Sequence, residues 1–184
     1  MTVSADYKEA LQELHEHSEW GVTGAGYAGE SIVKLLQDNP EIRTILDYGC
    51  GEGTLKAYVE EQGITDREWT LYDPGMKAHA KKPEGQFDLV ITTDVLEHVE
   101  VFMEKAVLQE LKAYTKKYLY SDIACYLTRV KFESGPYIGQ DLHINLKAPD
   151  AWRESLKKLE MTDVLSVATV IDGWKVRYLS VLRK

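Results

Sequence analysis

The chain is expected to fold as a doubly wound α/β sheet, mostly parallel and ending in a C-terminal antiparallel hairpin. Three observations predict this. Thr44 to Tyr48 is a short β-prone run that passes through Gly49, Gly51 and Gly53 directly into the helical pattern Leu55, Tyr58, Val59. Phe87 to Thr93 is a near-continuous apolar run, as expected of a parallel strand covered on both faces. Residues 161–170 and 174–182 are rich in Val, Leu, Ile and Thr around Asp172-Gly173, which reads as a hairpin.

The elements follow in order. Over residues 4–17, Tyr7, Ala10, Leu11 and Leu14 share one helical face. Trp20 to Gly26 is an aromatic-headed, glycine-rich loop, and the helix after it runs through Ala28, Ile32, Leu35 and Leu36 until Asn39-Pro40 stops it. Residues 1–40 are thus expected to form a helical cap on a core of 41–184, the whole being one domain. Gly63 stands where a helix C-cap glycine would, and Trp69 to Asp73 reads as the second strand. The stretch from Pro74 to Gln86 is too short for a helix–strand–helix unit, so the sheet should be abbreviated around its third strand. Beyond Thr93 comes Asp94-Val95-Leu96-Glu97-His98, then a helix expected to bury Val99, Phe102, Met103, Ala106, Val107, Leu111 and Tyr114. Lys117 to Ile123 is a further strand, 124–149 a long loop, and Pro149 opens a helix through Trp152, Leu156 and Leu159.

Composition narrows the functional classes. At 184 residues the chain is long enough for a sizeable core. Lys+Arg 22 against Asp+Glu 30 gives a formal charge of -8, which disfavours a nucleic-acid partner without excluding it. Lys105, Lys112, Lys116 and Lys117 read as a solvated face. Cys50 and Cys125 lack the spacing of a metal or disulfide framework, and the first residues are too charged for an export signal. A cytoplasmic protein with reduced thiols and no membrane association is expected.

The glycine spacing identifies the ligand class. A dinucleotide fingerprint would require glycine at 54, where Thr54 stands. The pattern Asp47-x-Gly49-x-Gly51-x-Gly53 instead resembles motif I of the class I S-adenosylmethionine (SAM) methyltransferases, a Rossmann-like family. The resemblance implies that Asp47 and the turn Gly49, Cys50, Gly51, Gly53 hold the amino-acid end of SAM. Asp73, ending the second strand, would accept hydrogen bonds from the ribose hydroxyls, although an Asp before Pro74-Gly75 is also ordinary turn chemistry. With the third strand cut back, adenine would meet Pro74 and Met76. Thr93 and Asp94 at the next strand end would adjoin the cofactor, and Trp20, Thr23 and Tyr27 would contact it or the acceptor from the lid.

Asp94-x-x-Glu97-His98 is a second point of resemblance. A capping box explains Asp94 and Glu97, but neither His98 nor His143. The four side chains Asp94, Glu97, His98 and His143 also form a candidate set for a divalent metal such as Mg, Mn or Zn. That set resembles the site of the small-RNA terminal 2′-O-methyltransferases and of the ubiquinone-pathway O-methyltransferases. Without metal, His143 or His98 would serve as general base. There is no Pro-Cys nucleophile and no Asn/Asp-Pro-Pro-aromatic run, which argues against C5 or exocyclic-amine methylation of a base. The expected activity is methyl transfer to a hydroxyl of a small metabolite, sugar or nucleotide. The alternatives are a non-catalytic SAM- or nucleotide-binding module and a metal-dependent nucleic-acid 2′-O-methyltransferase.

Overall fold

The computed structural model describes residues 3–17, 21–133 and 135–184. Among these residues are five helices, α1 (Ala5–His17), α2 (Gly24–Asp38), α3 (Thr54–Glu61), α4 (Glu104–Tyr114) and α5 (Pro149–Lys157), and six strands. The strands are β1 (Thr44–Tyr48), β2 (Glu68–Tyr72), β3 (Phe87–Thr93), β4 (Thr115–Ala124), β5 (Thr162–Ile171) and β6 (Lys175–Arg183). They form one sheet in the order β2-β1-β3-β4-β6-β5. β2, β1, β3 and β4 are parallel, and β6 pairs antiparallel to both β4 and β5.

Because side chains alternate across a strand, neighbouring residues feed opposite layers. Ile45, Leu89 and Ile91 pack with Ile32, Leu36, Leu55 and Val59 of α2 and α3. Leu46, Val90 and Leu119 pack with Val107, Leu111, Trp152 and Leu156 of α4 and α5. Every residue of β3 is buried, which is why its sequence reads as a continuous apolar run. A smaller cluster joins Tyr7, Ala10 and Leu11 of α1 to Phe132 and Leu142, and so fastens the first helix to the long segment between β4 and α5.

Between β2 and β3 there is only a short 3-10 turn, Lys77–His79, leaving β2 at the sheet edge as the abbreviation requires. The helix expected from Val99 onward starts later. Leu96–His98 is a 3-10 turn and Val99 is extended, so α4 begins at Glu104. The delay changes which face is covered: Phe102 is 73% exposed and Ala106 also faces solvent, whereas both were expected inside. No described helix is long and apolar enough to cross a membrane.

The strand order reverses between β1 and β3, which places a crevice beyond their carboxyl ends. Equilibrium unfolding in urea should show Trp152→Ala, whose side chain is wholly buried in the larger cluster, losing about 3–5 kcal/mol. Phe102→Ala should stay within about 0.5 kcal/mol of the parent.

Candidate functional site

The glycine turn is fastened to the neighbouring strand before it reaches the crevice. The N–H groups of Gly49 and Cys50 both donate to the Tyr72 carbonyl, at 2.7 and 3.2 Å. Gly49 has φ +84°, and a Cβ there would lie 2.4 Å from Val95 Cγ2. Gly51 has φ +50°, and a Cβ there would lie 2.2 Å from the Gly21 carbonyl oxygen. Both positions therefore need glycine for conformation and for space. Gly21 also accepts the Glu52 N–H at 3.0 Å, so the segment entering α2 lies directly over the turn.

Two buried carboxylates flank this cradle. Asp73 accepts hydrogen bonds from Gly51 N–H at 3.1 Å and Gly75 N–H at 2.8 Å, tying the turn to the end of β2. Asp47, in β1, is 4% exposed. Burial first, and the nearby Asp73 charge second, push its carboxyl up to about 7. An incoming cation relieves both effects, so the donor set fits a cationic ligand such as SAM.

At the end of β3, Asp94 adopts φ +53°, a left-handed conformation that Asp tolerates better than most residues. Its N–H donates to the Asp122 carbonyl at 3.1 Å. Its carboxylate pairs with Arg177 Nη2 at 2.7 Å and accepts the Thr23 hydroxyl at 3.0 Å. Arg177 also reaches Asp122 Oδ1 at 2.8 Å, and its guanidinium lies 3.9 Å from the Tyr27 ring centroid.

These contacts correct two expectations. The capping box is not formed, because Glu97 Oε1 instead accepts the Ala124 N–H at 2.5 Å and Val95 precedes the 3-10 turn without a side-chain cap. Burial, reinforced by the Asp94 charge, pushes the Glu97 carboxyl upward. The four-ligand metal set Asp94, Glu97, His98 and His143 is not assembled either. Glu97 is committed to β4, and Arg177 supplies at Asp94 the positive charge that a metal would have brought. Among the described residues no group of three or more His, Cys, Asp or Glu side chains is placed to hold a metal ion.

The two imidazoles do meet. Their ring centroids are 4.7 Å apart, edge to face. His98 Nδ1 lies 2.8 Å from the Leu142 carbonyl and His143 Nδ1 2.5 Å from the Tyr126 carbonyl. A carbonyl only accepts, so both Nδ1 atoms carry the proton in the neutral ring. Burial, followed by the His143 ring, lowers His98 to about 4, and burial also lowers His143. Both are therefore neutral at pH 7.

A cavity of about 270 Å³ gathers most of the expected residues: Tyr27, Asp47, Gly49, Cys50, Gly51, Asp73, Thr93, Asp94, His98 and His143 all line it, as does Thr23. Gly53, Pro74, Met76 and Glu97 are not part of its lining. Gly53 caps the start of α3 at φ +76°, and Pro74 and Met76 belong to the turn after β2. Trp20 lies outside the described residues. The lining also holds residues that were not foreseen as site residues, among them Tyr7 and Leu11 of α1, Tyr126, Thr128 and Lys175. Tyr7 and Leu11 stand four apart on one helical face, and Arg177 interrupts the apolar run Val176 to Leu179; these were the available signals. Two hydroxyls on this wall, those of Tyr7 and Thr93, are buried without a hydrogen-bond partner among the described residues. Each such group costs about 1–3 kcal/mol unless something bound satisfies it.

Comparison with known proteins agrees with this geometry. A family model described as a methyltransferase domain matches residues 23–165. A search of curated proteins gives no match. Among solved structures, the magnesium protoporphyrin IX methyltransferase of Synechocystis with bound SAM is similar at 14% identity, TM-score 0.66, over 100% of both chains. The 1,6-didemethyltoxoflavin-N1-methyltransferase of Burkholderia thailandensis is similar at 17% identity and TM-score 0.64, over 100% of this chain and 92% of that one. An O-methyltransferase family protein from the same organism is similar at 14% and 0.56, over 98% and 73%. The chain belongs to the methyltransferase-domain family and is a class I SAM-dependent methyltransferase.

Proposed function

We propose that the enzyme methylates a hydroxyl of a small molecule, with His143 as general base. The observation that carries this reading is the state of His143: a neutral, buried imidazole on the cavity wall whose Nδ1–H is held by the Tyr126 carbonyl. That bond fixes the ring and leaves Nε2 as the basic nitrogen. When bound, SAM supplies a methyl group already activated on its sulfonium. The protein's task is then to orient the acceptor and to take its proton.

The roles divide along the cavity. Asp47 and the glycine turn receive the amino-acid end of the cofactor, and Asp73, with two acceptor oxygens at the end of β2, receives ribose hydroxyls. Thr93 and Tyr27 flank the same volume. Asp94 acts as an anchor: fixed by Arg177 and Thr23, it holds the lid segment against the strand ends. His143 accepts the acceptor's hydroxyl proton at Nε2 as the methyl group arrives, and His98, in edge contact with it, keeps that ring in place.

The cavity's size supports a small acceptor, since ligand pockets commonly span about 300–1,000 Å³ and this one, at about 270 Å³, falls just below that range. Two of the similar structures are named for non-polymeric compounds, magnesium protoporphyrin IX and, at N1, 1,6-didemethyltoxoflavin. The free thiols Cys50 and Cys125 accord with a reducing, cytoplasmic setting.

Replacing His143 with Ala should leave SAM affinity by calorimetry nearly unchanged and reduce turnover by about 10²–10⁴-fold. Full turnover in that variant would remove His143 from the reaction. The Asp47 proposal is checked by pH. Its carboxyl stays protonated up to about 7 in the free protein, so binding a cation below that pH must release the proton. SAM affinity should therefore rise by up to about tenfold per pH unit between pH 5 and 7 and level off above. Asp47→Asn should bind more weakly at pH 8 and lose the slope. An identical slope in that variant would assign the proton to another group.

A further inference from the structure

The segment between β4 and α5 supplies three residues to the cavity wall, Tyr126, Thr128 and His143. Between Thr128 and His143 the chain makes an excursion and returns. Its arms meet at an antiparallel bridge between Lys131 and Asp141, where Leu142 N–H donates to the Val130 carbonyl at 3.1 Å. Farther out, Phe132 N–H donates to the Gln140 carbonyl at 3.0 Å. A two-stranded ribbon this short holds together weakly on its backbone bonds alone.

The Asp141 carboxylate closes the excursion at its base. Its Oδ1 accepts the Thr128 N–H at 3.1 Å and the His143 N–H at 2.9 Å, and lies 3.0 Å from the Thr128 hydroxyl. Its Oδ2 accepts the Arg129 N–H at 2.8 Å. Three backbone N–H groups from two separate stretches thus converge on one side chain, and hydrogen bonds to a charged acceptor are the stronger kind. Partial burial opposes the charge, but the bonds from His143, Arg129 and Thr128 outweigh it and hold the carboxyl below its ordinary range. Asp141 is therefore ionised at neutral pH.

One of the three N–H groups belongs to a strained residue. Arg129 has φ +65°, a region uncommon for residues other than glycine. Backbone of this kind persists only where its surroundings fix it, and Oδ2 of Asp141 is one of those fixtures. The other is the Trp174 ring, whose centroid lies 4.7 Å from the Arg129 guanidinium.

His143 is held at both its backbone and its ring. The backbone N–H goes to Asp141 and the ring Nδ1–H to the Tyr126 carbonyl. The ring bond requires the stretch 126–129 to lie beside the stretch 141–143, and Asp141 bonds to both. Without the carboxylate, three N–H groups lose their acceptor and the stretches can part. A neutral imidazole released in this way can carry its proton on either nitrogen.

We propose that Asp141 is a positioning residue: by tying Thr128 and Arg129 to His143 through their backbone N–H groups, it keeps the His143 ring bonded to the Tyr126 carbonyl and leaves Nε2 as the basic nitrogen. The proposal rests on the reading of His143 as general base. It assigns a role in the reaction to a carboxylate that stands outside the cavity lining.

The test reads the tautomer directly, by NMR of the full chain with isotope-labelled histidine at neutral pH. The chain has five histidines, and His143 is the signal missing from His143→Gln. In the parent, His143 should show the Nδ1–H form alone. Asp141→Ala should lose that single state, with Nε2–H appearing, while SAM affinity by calorimetry is unchanged. Asp141→Asn keeps one acceptor oxygen for the Thr128 and His143 N–H groups, so Nδ1–H should remain dominant there. That rescue separates positioning from a general loosening of the loop. A pure Nδ1–H signal retained in Asp141→Ala would overturn the role of Asp141 and leave His143 as the base. Loss of SAM binding in Asp141→Ala would also overturn it, because the residue would then support the fold at large. Nε2–H found already in the parent would instead overturn the underlying reading of His143.

Discussion

The carboxyl end of the sheet depends on one buried cation. Arg177, on β6, is 3% exposed and pairs at once with Asp122 at the end of β4 and Asp94 at the end of β3. Two carboxylates brought together in a water-poor place repel each other, and each alone would pay heavily for burial. The guanidinium between them makes the arrangement possible, and removing one member of such a group commonly costs about 3–5 kcal/mol because the others are left uncompensated. Much of the site follows from this. Asp94 is drawn into a left-handed conformation, Thr23 bonds to it from the lid, and Tyr27 lies across the other face of the guanidinium. The strand ends and the N-terminal cap are thereby joined around one charge.

The same point explains what could and could not be read from the chain. The glycine turn was legible because its constraint is local: a Cβ at Gly49 or Gly51 has nowhere to go, and the residues on either side announce a strand and a helix. Asp47 and Asp73 were legible by their place at the ends of such elements. The abbreviated edge was legible because Pro74 to Gln86 is too short for what it would have to hold. Arg177 was not, because its partners lie far away in sequence and a strand arginine gives no hint of which carboxylates it will meet. Glu97 misled for the opposite reason. Asp94-x-x-Glu97 satisfies a local capping rule, yet the end of β4 presents an Ala124 N–H that takes the carboxylate, and tertiary demand overrides the local pattern. Nor is the expected metal set assembled among the described residues, since a ligand group needs carboxylates still uncommitted.

Phe102 shows a subtler limit. Apolar periodicity through Val99, Phe102 and Ala106 suits a helix, but periodicity does not say where the helix starts. A 3-10 turn at Leu96–His98 and an extended Val99 delay α4 to Glu104. The turn holds His98 in contact with His143, so the local departure from regular helix coincides with a meeting of two imidazoles.

The energetic character of the cavity then separates its two halves. Near the glycine turn, Asp47 sits in an environment that disfavours its own charge, chiefly through burial and secondarily through Asp73. Around the histidines the rings are neutral, the carbonyls that orient them are satisfied, and the unmet demand is for hydrogen-bond partners at Tyr7 and Thr93. A fold optimised for stability alone would fill such vacancies with apolar side chains or pair them internally. The cavity keeps an electrostatic deficit at one end and unpaired hydroxyls at the other. A cation would offset the first, and a hydrogen-bond partner the second.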